Sequence, residues 1–214
     1  MGSVFVRVVA VAMVFTFPLH SAEACNGDKV LFEEKFEFAD PAWGWNSQSE
    51  VFKIGDGKAI IRATQNTTAW ASNAAFLFDN VDICYTSILT EQTSDPTNSF
   101  SGLMFWFVDN ENFFALYTAS NGYFKVARRI AGQWAADPIK WTTTDVLKQG
   151  PNQANKVRVR LEDQTITVEI NDKQVIKFRG QAPGRPTSIG FLASSAPSSV
   201  DSWAFSDLKV TNIK

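Results

Sequence analysis

Histidine is almost absent from this chain of 214 residues, which contains His20 and no other. His20 lies within residues 1–24, which we expect to be removed as a signal peptide. A mature chain without histidine has no histidine general base, no Ser-His-Asp or Cys-His nucleophile and no histidine ligand for a metal ion. The sequence therefore excludes histidine-dependent catalysis and histidine-ligated metal sites from the mature protein.

Long apolar runs are also lacking, apart from one near the N-terminus. Arg7 precedes an almost unbroken apolar stretch over residues 8–17, and Ala-Glu-Ala at 22–24 matches a signal-peptidase pattern. The run is shorter than the roughly 20 residues that cross a bilayer. These features predict a signal peptide over residues 1–24 and a single mature domain over residues 25–214. They also predict an exported protein, periplasmic or extracellular, without a membrane span.

A strong charge of either sign is missing as well. The formal net charge is -2, from 20 basic and 22 acidic residues, and the basic residues form no stripe. Binding to nucleic acid or to an anionic membrane depends on such a basic surface. The composition therefore predicts no nucleic-acid partner, whereas a protein partner stays open.

Only two cysteines occur, Cys25 and Cys84. Since an exported protein meets an oxidising environment, an even pair predicts one disulfide. The alternative is that Cys25 is a lipidated first residue of the mature chain. The preceding Ala-Glu-Ala is a poor lipidation signal, because Glu23 occupies a position where small or apolar residues are expected.

Aromatic residues are plentiful, with 18 Phe and 7 Trp, and they favour the half-buried surface of β-sheets. Apolar residues recur mostly with a period of two in short runs between turns, without a convincing amphipathic helix. The pattern predicts an all-β antiparallel sandwich. Its predicted strands cover residues 29–38, 51–54, 58–63, 71–78, 83–90, 102–108, 112–119, 123–130, 156–161, 165–170, 174–178, 187–193 and 203–210.

Two connections stand out between these strands. Asn121-Gly122 predicts a β-hairpin with a type I′ turn, which needs positive φ at both positions. Residues 135–154 form the longest irregular stretch. At about 20 residues this stretch exceeds ordinary connections, so it is expected either to be functional or to contain a short element of its own.

Four stretches in a consistent order resemble one family. They are FEFADPAWGW at residues 36–45, the hairpin NFFALY…GYFKV at 112–126, NKVRV…VEIN at 155–171 and WAFSDLKV at 203–210. Together they are similar to the concanavalin A-like lectin/glucanase superfamily, in its laminin-G-like and 3-keto-disaccharide-hydrolase-like branches. The resemblance implies a two-sheet jelly roll whose first and last strands pair. It also implies that one concave sheet holds sugars.

The chain departs from the catalytic members of that family. Glucanase relatives carry an E-x-D-x-x-E strand, which places alternating carboxylates on one face for the acid and nucleophile roles. This strand is missing from the sequence, and no catalytic residue is predicted. The main hypothesis is therefore a non-catalytic, lectin-like protein that binds a glycan or oligosaccharide. A 3-keto-disaccharide-type glycoside hydrolase and a structural or adhesion domain that binds another protein are the alternatives.

The candidate carbohydrate-binding residues are aromatic or cationic side chains on the predicted hairpin strands and beside the irregular stretch. Aromatic rings stack on sugars, and arginine forms forked hydrogen bonds with hydroxyls or carboxylates. Alternation predicts that Trp106 lies on the face opposite to Phe105 and Phe107, and the resemblance implies that this face points outward. The candidates are Trp106, Tyr117, Lys125, Arg129, Trp134 and Trp141.

Each candidate also has a structural interpretation. Trp106 could pack beneath a loop, the tryptophans of the irregular stretch could anchor it, and the cations could form cross-strand ion pairs. No cofactor or metal site is predicted. Asp109, Asn110 and Glu111 could form an oxygen-rich calcium corner, but such residues are also typical of a hairpin turn, and the turn is the favoured interpretation.

Overall fold

A computed structural model describes residues 25–44, 49–91 and 98–214, so the predicted signal peptide lies outside the described residues. The regular secondary structure of the described chain is almost entirely strand. Its strands are β1 (Val30–Glu34), β2 (Phe52–Gly55), β3 (Lys58–Arg62), β4 (Thr68–Ser72), β5 (Val81–Glu91), β6 (Phe100–Asp109), β7 (Asn112–Ala119), β8 (Tyr123–Ile130), β9 (Gln133–Trp134), β10 (Ile139–Thr143), β11 (Ala154–Glu162), β12 (Thr165–Ile170), β13 (Lys173–Arg179), β14 (Ser188–Ser194) and β15 (Ser202–Asn212). A single turn of 3-10 helix, Pro41–Trp43, lies between β1 and β2.

The strands form two antiparallel sheets that pack face to face. Sheet A has the order β13-β12-β11-β5-β15-β3-β2, with β1 also paired to β15. Sheet B has the order β10-β8-β7-β6-β14-β4, with β9 also paired to β8. The predicted two-sheet sandwich is confirmed, and so is the pairing of the first strand with the last. In the described part of the chain, no helix is long and apolar enough to cross a bilayer.

Alternation of buried and exposed residues places the core between the sheets. In β11, Val157, Val159 and Leu161 are buried while the residues between them are partly or fully exposed. Aromatic rings fill the centre of the sandwich. The ring of Phe191 in sheet B stacks on that of Phe205 in sheet A, with centroids 4.3 Å apart, and on that of Trp43 at 5.6 Å. Trp43 is therefore part of the hydrophobic core.

The hairpin turns follow from residues that accept positive φ. Asn171 and Asp172, with φ of 49° and 66°, have the positive φ at both central positions that a type I′ turn requires, between β12 and β13. The predicted hairpin at Asn121-Gly122 is present, but its predicted turn type is wrong. Only Gly122 has positive φ, 86°, because three residues rather than two connect β7 to β8.

One strand prediction needs correction, and one expectation for the long irregular stretch is confirmed. The strand predicted at residues 71–78 lies instead at Thr68–Ser72, because the Asn73 side chain accepts a hydrogen bond from the Ala75 amide and turns the chain. The stretch at residues 135–154 contains β10, which pairs with β8 and extends sheet B. The stretch therefore contains a short element of its own, in agreement with one of the two expectations for it.

The predicted disulfide is confirmed: Cys25 is bonded to Cys84, with a Cα–Cα distance of 5.8 Å. The bond fastens the segment before β1 to β5, a central strand of sheet A. A bonded sulfur is not available for a lipid, so this structure favours the disulfide over the lipidated alternative at Cys25.

Candidate functional site

The outer face of sheet B carries most of the predicted site residues. Its centre is apolar and is formed by alternate residues of neighbouring strands, which make a second hydrophobic cluster separate from the core between the sheets. Around this centre lie two groups in which a cation contacts a tryptophan. The cluster residues are Met104, Phe107, Phe113, Ala115, Tyr117, Ala127 and Leu192, with Trp70 and Phe100 packed against them.

One group, the Lys125 group, is built around Tyr117, Lys125 and Trp141. Tyr117 and Lys125 are cross-strand partners in β7 and β8, and the Lys125 ammonium lies 5.0 Å from the Tyr117 ring centroid. The same ammonium lies 5.2 Å from the Trp141 ring centroid and 3.6 Å from a carboxylate oxygen of Asp137. Phe100 packs against both aromatic rings. The Lys125 charge is therefore compensated within the group.

Exposure separates the roles of the two aromatic rings. Tyr117 is 4% exposed, whereas Trp141 is 39% exposed. Burial, and after it the negative charge of Asp137, raises the pKa of Tyr117 far above its usual range. Its hydroxyl therefore stays protonated at physiological pH. Tyr117 supports the group from below the surface, and Trp141 presents the accessible ring.

The other group, the Arg129 group, joins Arg129 to Trp134 and Phe113. Arg129 pairs with Phe113 of β7 on one side and with Trp134 of β9 on the other. The guanidinium carbon lies 5.8 Å from the Trp134 ring centroid, and Trp134 meets Phe113 edge to face with centroids 5.7 Å apart. Trp134 is 54% exposed, while Phe113 is buried. This group repeats the arrangement of the first, with a buried ring below and an exposed tryptophan above.

The two groups lie on one face because of strand geometry. Lys125 and Arg129 are four residues apart on β8, so their side chains point the same way and their Cα atoms are separated by about 13 Å. Trp141 lies at an irregularity in the pairing of β10 with β8. The outer edge of sheet B therefore carries two exposed tryptophans, Trp134 on β9 and Trp141 on β10, and both strands pair with β8.

The predicted outward orientation of Trp106 is wrong. Extra residues in β6 shift its register between Phe105 and Asp109, and Trp106 has a φ of +46°. This bulge breaks the alternation, so Phe105 and Trp106 both pack into the core and Phe107 lies in the outer cluster. Trp106 is 4% exposed and meets Phe114 edge to face at 5.2 Å.

A cavity of about 320 Å³ adjoins the Arg129 group, and we call it the arginine cavity. Its aromatic wall includes Trp106, Phe113 and Phe114, and its cationic lining comes from three arginines. These arginines are Arg128 and Arg129 of β8 and Arg185 of the segment between β13 and β14. Sequence reasoning missed Arg185, because nothing in the local pattern shows that this segment folds back toward β8.

Two further features bear on metal binding. Asp109 accepts hydrogen bonds from the Asn112 side chain and the Glu111 amide, which together hold its carboxyl pKa below the usual range. Asp109 thus takes part in the turn between β6 and β7. Elsewhere, Cys25, Asp82 and Cys84 bring potential ligand atoms within 4.8 Å of one another. Because the two sulfurs are bonded to each other, that group offers no thiolates to a metal ion.

Carboxylates collect on the other sheet. A cavity of about 430 Å³ beside the disulfide is lined by Glu33, Glu34 and Asp207, together with Lys35 and Lys209. By contrast, neither an aspartate nor a glutamate is among the described residues that line the arginine cavity. The carboxylates of this cavity therefore lie apart from the exposed tryptophans, whereas Asp137 pairs with Lys125 beside Trp141.

Comparison with known proteins places the fold in context. No protein-family model and no curated protein matches the sequence. Similar solved structures include a β-glucanase of Bacillus licheniformis, with a TM-score of 0.58, 10% identity and coverage of 85% of this chain and 98% of that one. The metal-free carbohydrate recognition domain of Emp46p gives 0.57 at 11% identity, covering 86% and 100%.

A third similar structure is the carbohydrate-binding module CBM66 from Bacillus subtilis, with a TM-score of 0.51 and 13% identity, covering 72% of this chain and 86% of that one. At such low identities the likeness concerns the fold. The chain thus has the β-sandwich fold of the concanavalin A-like lectins and glucanases.

Proposed function

We propose that this protein is an exported, non-catalytic, lectin-like protein that binds a glycan along the outer edge of sheet B. The observation that carries the proposal is the pair of exposed tryptophans, Trp134 and Trp141, each held by a buried ring and a neighbouring cation. Exposed aromatic rings with fixed orientations offer flat apolar surfaces to the C–H faces of sugars. Fixed charged groups beside them supply hydrogen bonds to hydroxyls.

The fold supports the same proposal by analogy. A carbohydrate-binding module and a carbohydrate recognition domain share this sandwich, although a fold alone does not determine function. The disulfide is compatible with an oxidising location and thus with export. A non-catalytic role agrees with the placement of the cavity carboxylates on sheet A, away from the exposed tryptophans.

A glycan array followed by titration of the purified protein tests the proposal. We expect at least one oligosaccharide to bind, and we expect Trp134→Ala and Trp141→Ala each to weaken that binding about fivefold, the equivalent of losing ~1 kcal/mol of aromatic contact. Phe38→Ala is the matched control, because Phe38 is an aromatic residue that is 81% exposed and lies outside both sheets.

Three outcomes would contradict the proposal in different ways. If both tryptophan variants bound the oligosaccharide as strongly as the unchanged protein, the glycan-binding site would lie elsewhere on the molecule. Release of shorter sugars from the bound oligosaccharide would favour the hydrolase alternative. Failure of every glycan to bind would favour the structural or adhesion alternative.

A further inference from the structure

The arginine cavity has an unusual balance of charge. Three arginines line it, and among the described residues its remaining lining is apolar or carries only neutral polar side chains, those of Asn112 and Gln181. Among the described residues, no carboxylate lies within ion-pair distance of Arg128, Arg129 or Arg185. Lys125, on the same strand, has Asp137 at 3.6 Å. No described carboxylate pairs with the arginines of the cavity, whereas Asp137 pairs with Lys125 in the Lys125 group.

Two of the arginines, Arg128 and Arg129, contact uncharged side chains. These contacts fix their positions but do not neutralise their charge. Arg128 donates a hydrogen bond to the side-chain oxygen of Gln181, and its guanidinium carbon lies 5.0 Å from the Phe114 ring centroid. Arg129 lies against Trp134, and its buried Nε has no hydrogen-bond partner among the described residues. A buried donor without a partner costs free energy unless a ligand satisfies it.

The third arginine lies at the open side of the cavity. Arg185 is exposed, on the segment that leads into β14. Its attraction to Asp109 lowers the pKa of that carboxyl less than the hydrogen bonds of the turn do. Asp109 itself does not line the cavity. An arriving anion would therefore meet Arg185 before it met any competing carboxylate of the cavity wall.

The shape and chemistry of the cavity restrict its ligand. A volume of about 320 Å³ is at the lower end for small-molecule sites and suits one ring rather than a chain. The aromatic wall offers contact for the apolar edge of such a ring. Guanidinium groups form paired, charge-assisted hydrogen bonds with planar or tetrahedral oxyanions, and they do so more strongly than with neutral hydroxyls.

We infer that the arginine cavity binds the carboxylate or sulfate of an acidic sugar residue, at one end of a glycan that lies along the outer edge of sheet B. This inference rests on the proposed function, because Arg129 and Phe113 belong both to the cavity and to the Arg129 group. Trp134 and Trp141 would contact the neutral part of the glycan, and the arginines would select its acidic residue.

Matched pairs of oligosaccharides test this inference. Trigalacturonate is compared with its carboxyl-reduced form, and a sulfated galactan tetrasaccharide with its desulfated form, so that the two sources of negative charge are separated. We expect at least one acidic member to bind about tenfold more tightly than its neutral partner, since charged hydrogen bonds are worth more than neutral ones. We also expect that preference to shrink with added salt, because ions screen exposed charges.

Arg185→Gln is the decisive variant, because the exposed side chain should be replaceable without loss of folding. It should remove most of the preference for the acidic sugar and leave the affinity for the neutral partner unchanged. Arg179→Gln is the matched control: it removes the same charge from an exposed arginine of β13, an edge strand of sheet A. Arg179 bonds to Gln164 and should have no effect on the preference.

The outcomes separate the inference from the function on which it rests. Equal binding of acidic and neutral partners, with the tryptophan variants still weakened, would overturn the acidic site and leave glycan binding intact. A preference that survives in the double variant Arg128→Gln/Arg185→Gln would also overturn it. Absence of all glycan binding would overturn the proposed function itself.

Discussion

Arg158 of β11 binds the Asp82 carboxylate of β5 through two nitrogen atoms on the outer face of sheet A. Its Nη2 lies 2.6 Å from Oδ2, its Nε lies 2.8 Å from Oδ1, and its Nη1 also reaches Glu169 at 3.1 Å. The hydrogen bond with Asp82 is the main cause of the raised pKa of Arg158. Asp82 is buried and Arg158 nearly so, so this pair differs from the exposed ion pairs of the surface.

Arg158→Ala should therefore destabilise the protein by about 3 kcal/mol, because it leaves the buried Asp82 charge without its partner. Arg160→Ala is the control, since its pair with Glu162 is more exposed and should contribute at most about 1 kcal/mol. Urea denaturation measures both. If Arg158→Ala lost no more stability than Arg160→Ala, solvent would screen the pair of Arg158 and Asp82 as it screens the exposed pairs.

Removal of the disulfide should cost about 4 kcal/mol on the chain-entropy model, given the separation of 59 residues between Cys25 and Cys84. The double variant Cys25→Ala/Cys84→Ala should thus unfold at a lower denaturant concentration than the oxidised protein. A reducing agent should lower the stability of the natural chain and leave the double variant unchanged. A natural chain insensitive to reductant would argue that the bond adds little to stability.

Stability should fall at high pH because of two tyrosines. Burial raises the pKa of both Tyr85 and Tyr117 far above the usual value near 10, so these groups stay protonated in the folded chain where the unfolded chain ionises. Their contribution is fully present below pH ~10. It decreases above that pH by about 1.4 kcal/mol per unit for each tyrosine.

Tyr85→Phe provides the check on this alkaline loss. The Tyr85 hydroxyl is buried and has no hydrogen-bond partner among the described residues, so its removal should not destabilise the protein near neutral pH. At high pH the variant should lose stability less steeply than the natural chain in denaturation experiments. If the stability of the two proteins decreased equally steeply with rising pH, ionisation of Tyr85 would not be a cause of the alkaline loss.

Trp106→Ala should destabilise the protein by roughly 3–5 kcal/mol, because it removes a large ring from the core and leaves a cavity. Trp134→Ala, at an exposed position, should change stability by less than about 1 kcal/mol. Thermal or urea unfolding measures the contrast. Similar losses for the two variants would mean that Trp134 carries core packing or that Trp106 does not.

The difference between these tryptophans marks the limit of sequence reasoning. Regular alternation correctly predicted β11 and β12, because each pair of neighbours points to opposite faces. The same rule failed at Trp106, because the bulge in β6 is a consequence of how three strands fit together. Residue identities in β6 alone do not reveal the extra residues.

The candidate site was predictable only in part, for a similar reason. The predicted hairpin makes the strands of Tyr117 and Lys125 neighbours, but the direct pairing of these two residues depends on the three-residue connection, which was not predicted. By contrast, the partner of Lys125 is Asp137, which lies in the stretch without a recognisable pattern. Arg185, on the segment between β13 and β14, lines the same cavity as residues of β8. Contacts of that kind depend on the path of a connection in three dimensions.

The position of β15 has a consequence for how the protein acquires its structure. The last strand in the sequence occupies the middle of sheet A, where it pairs with β1, β3 and β5. Without β15, the pair of β2 and β3 is not joined to β5, which pairs on its other side with β11. Because pairings between strands so distant in sequence form slowly and only after loop closure, sheet A should be completed late in folding.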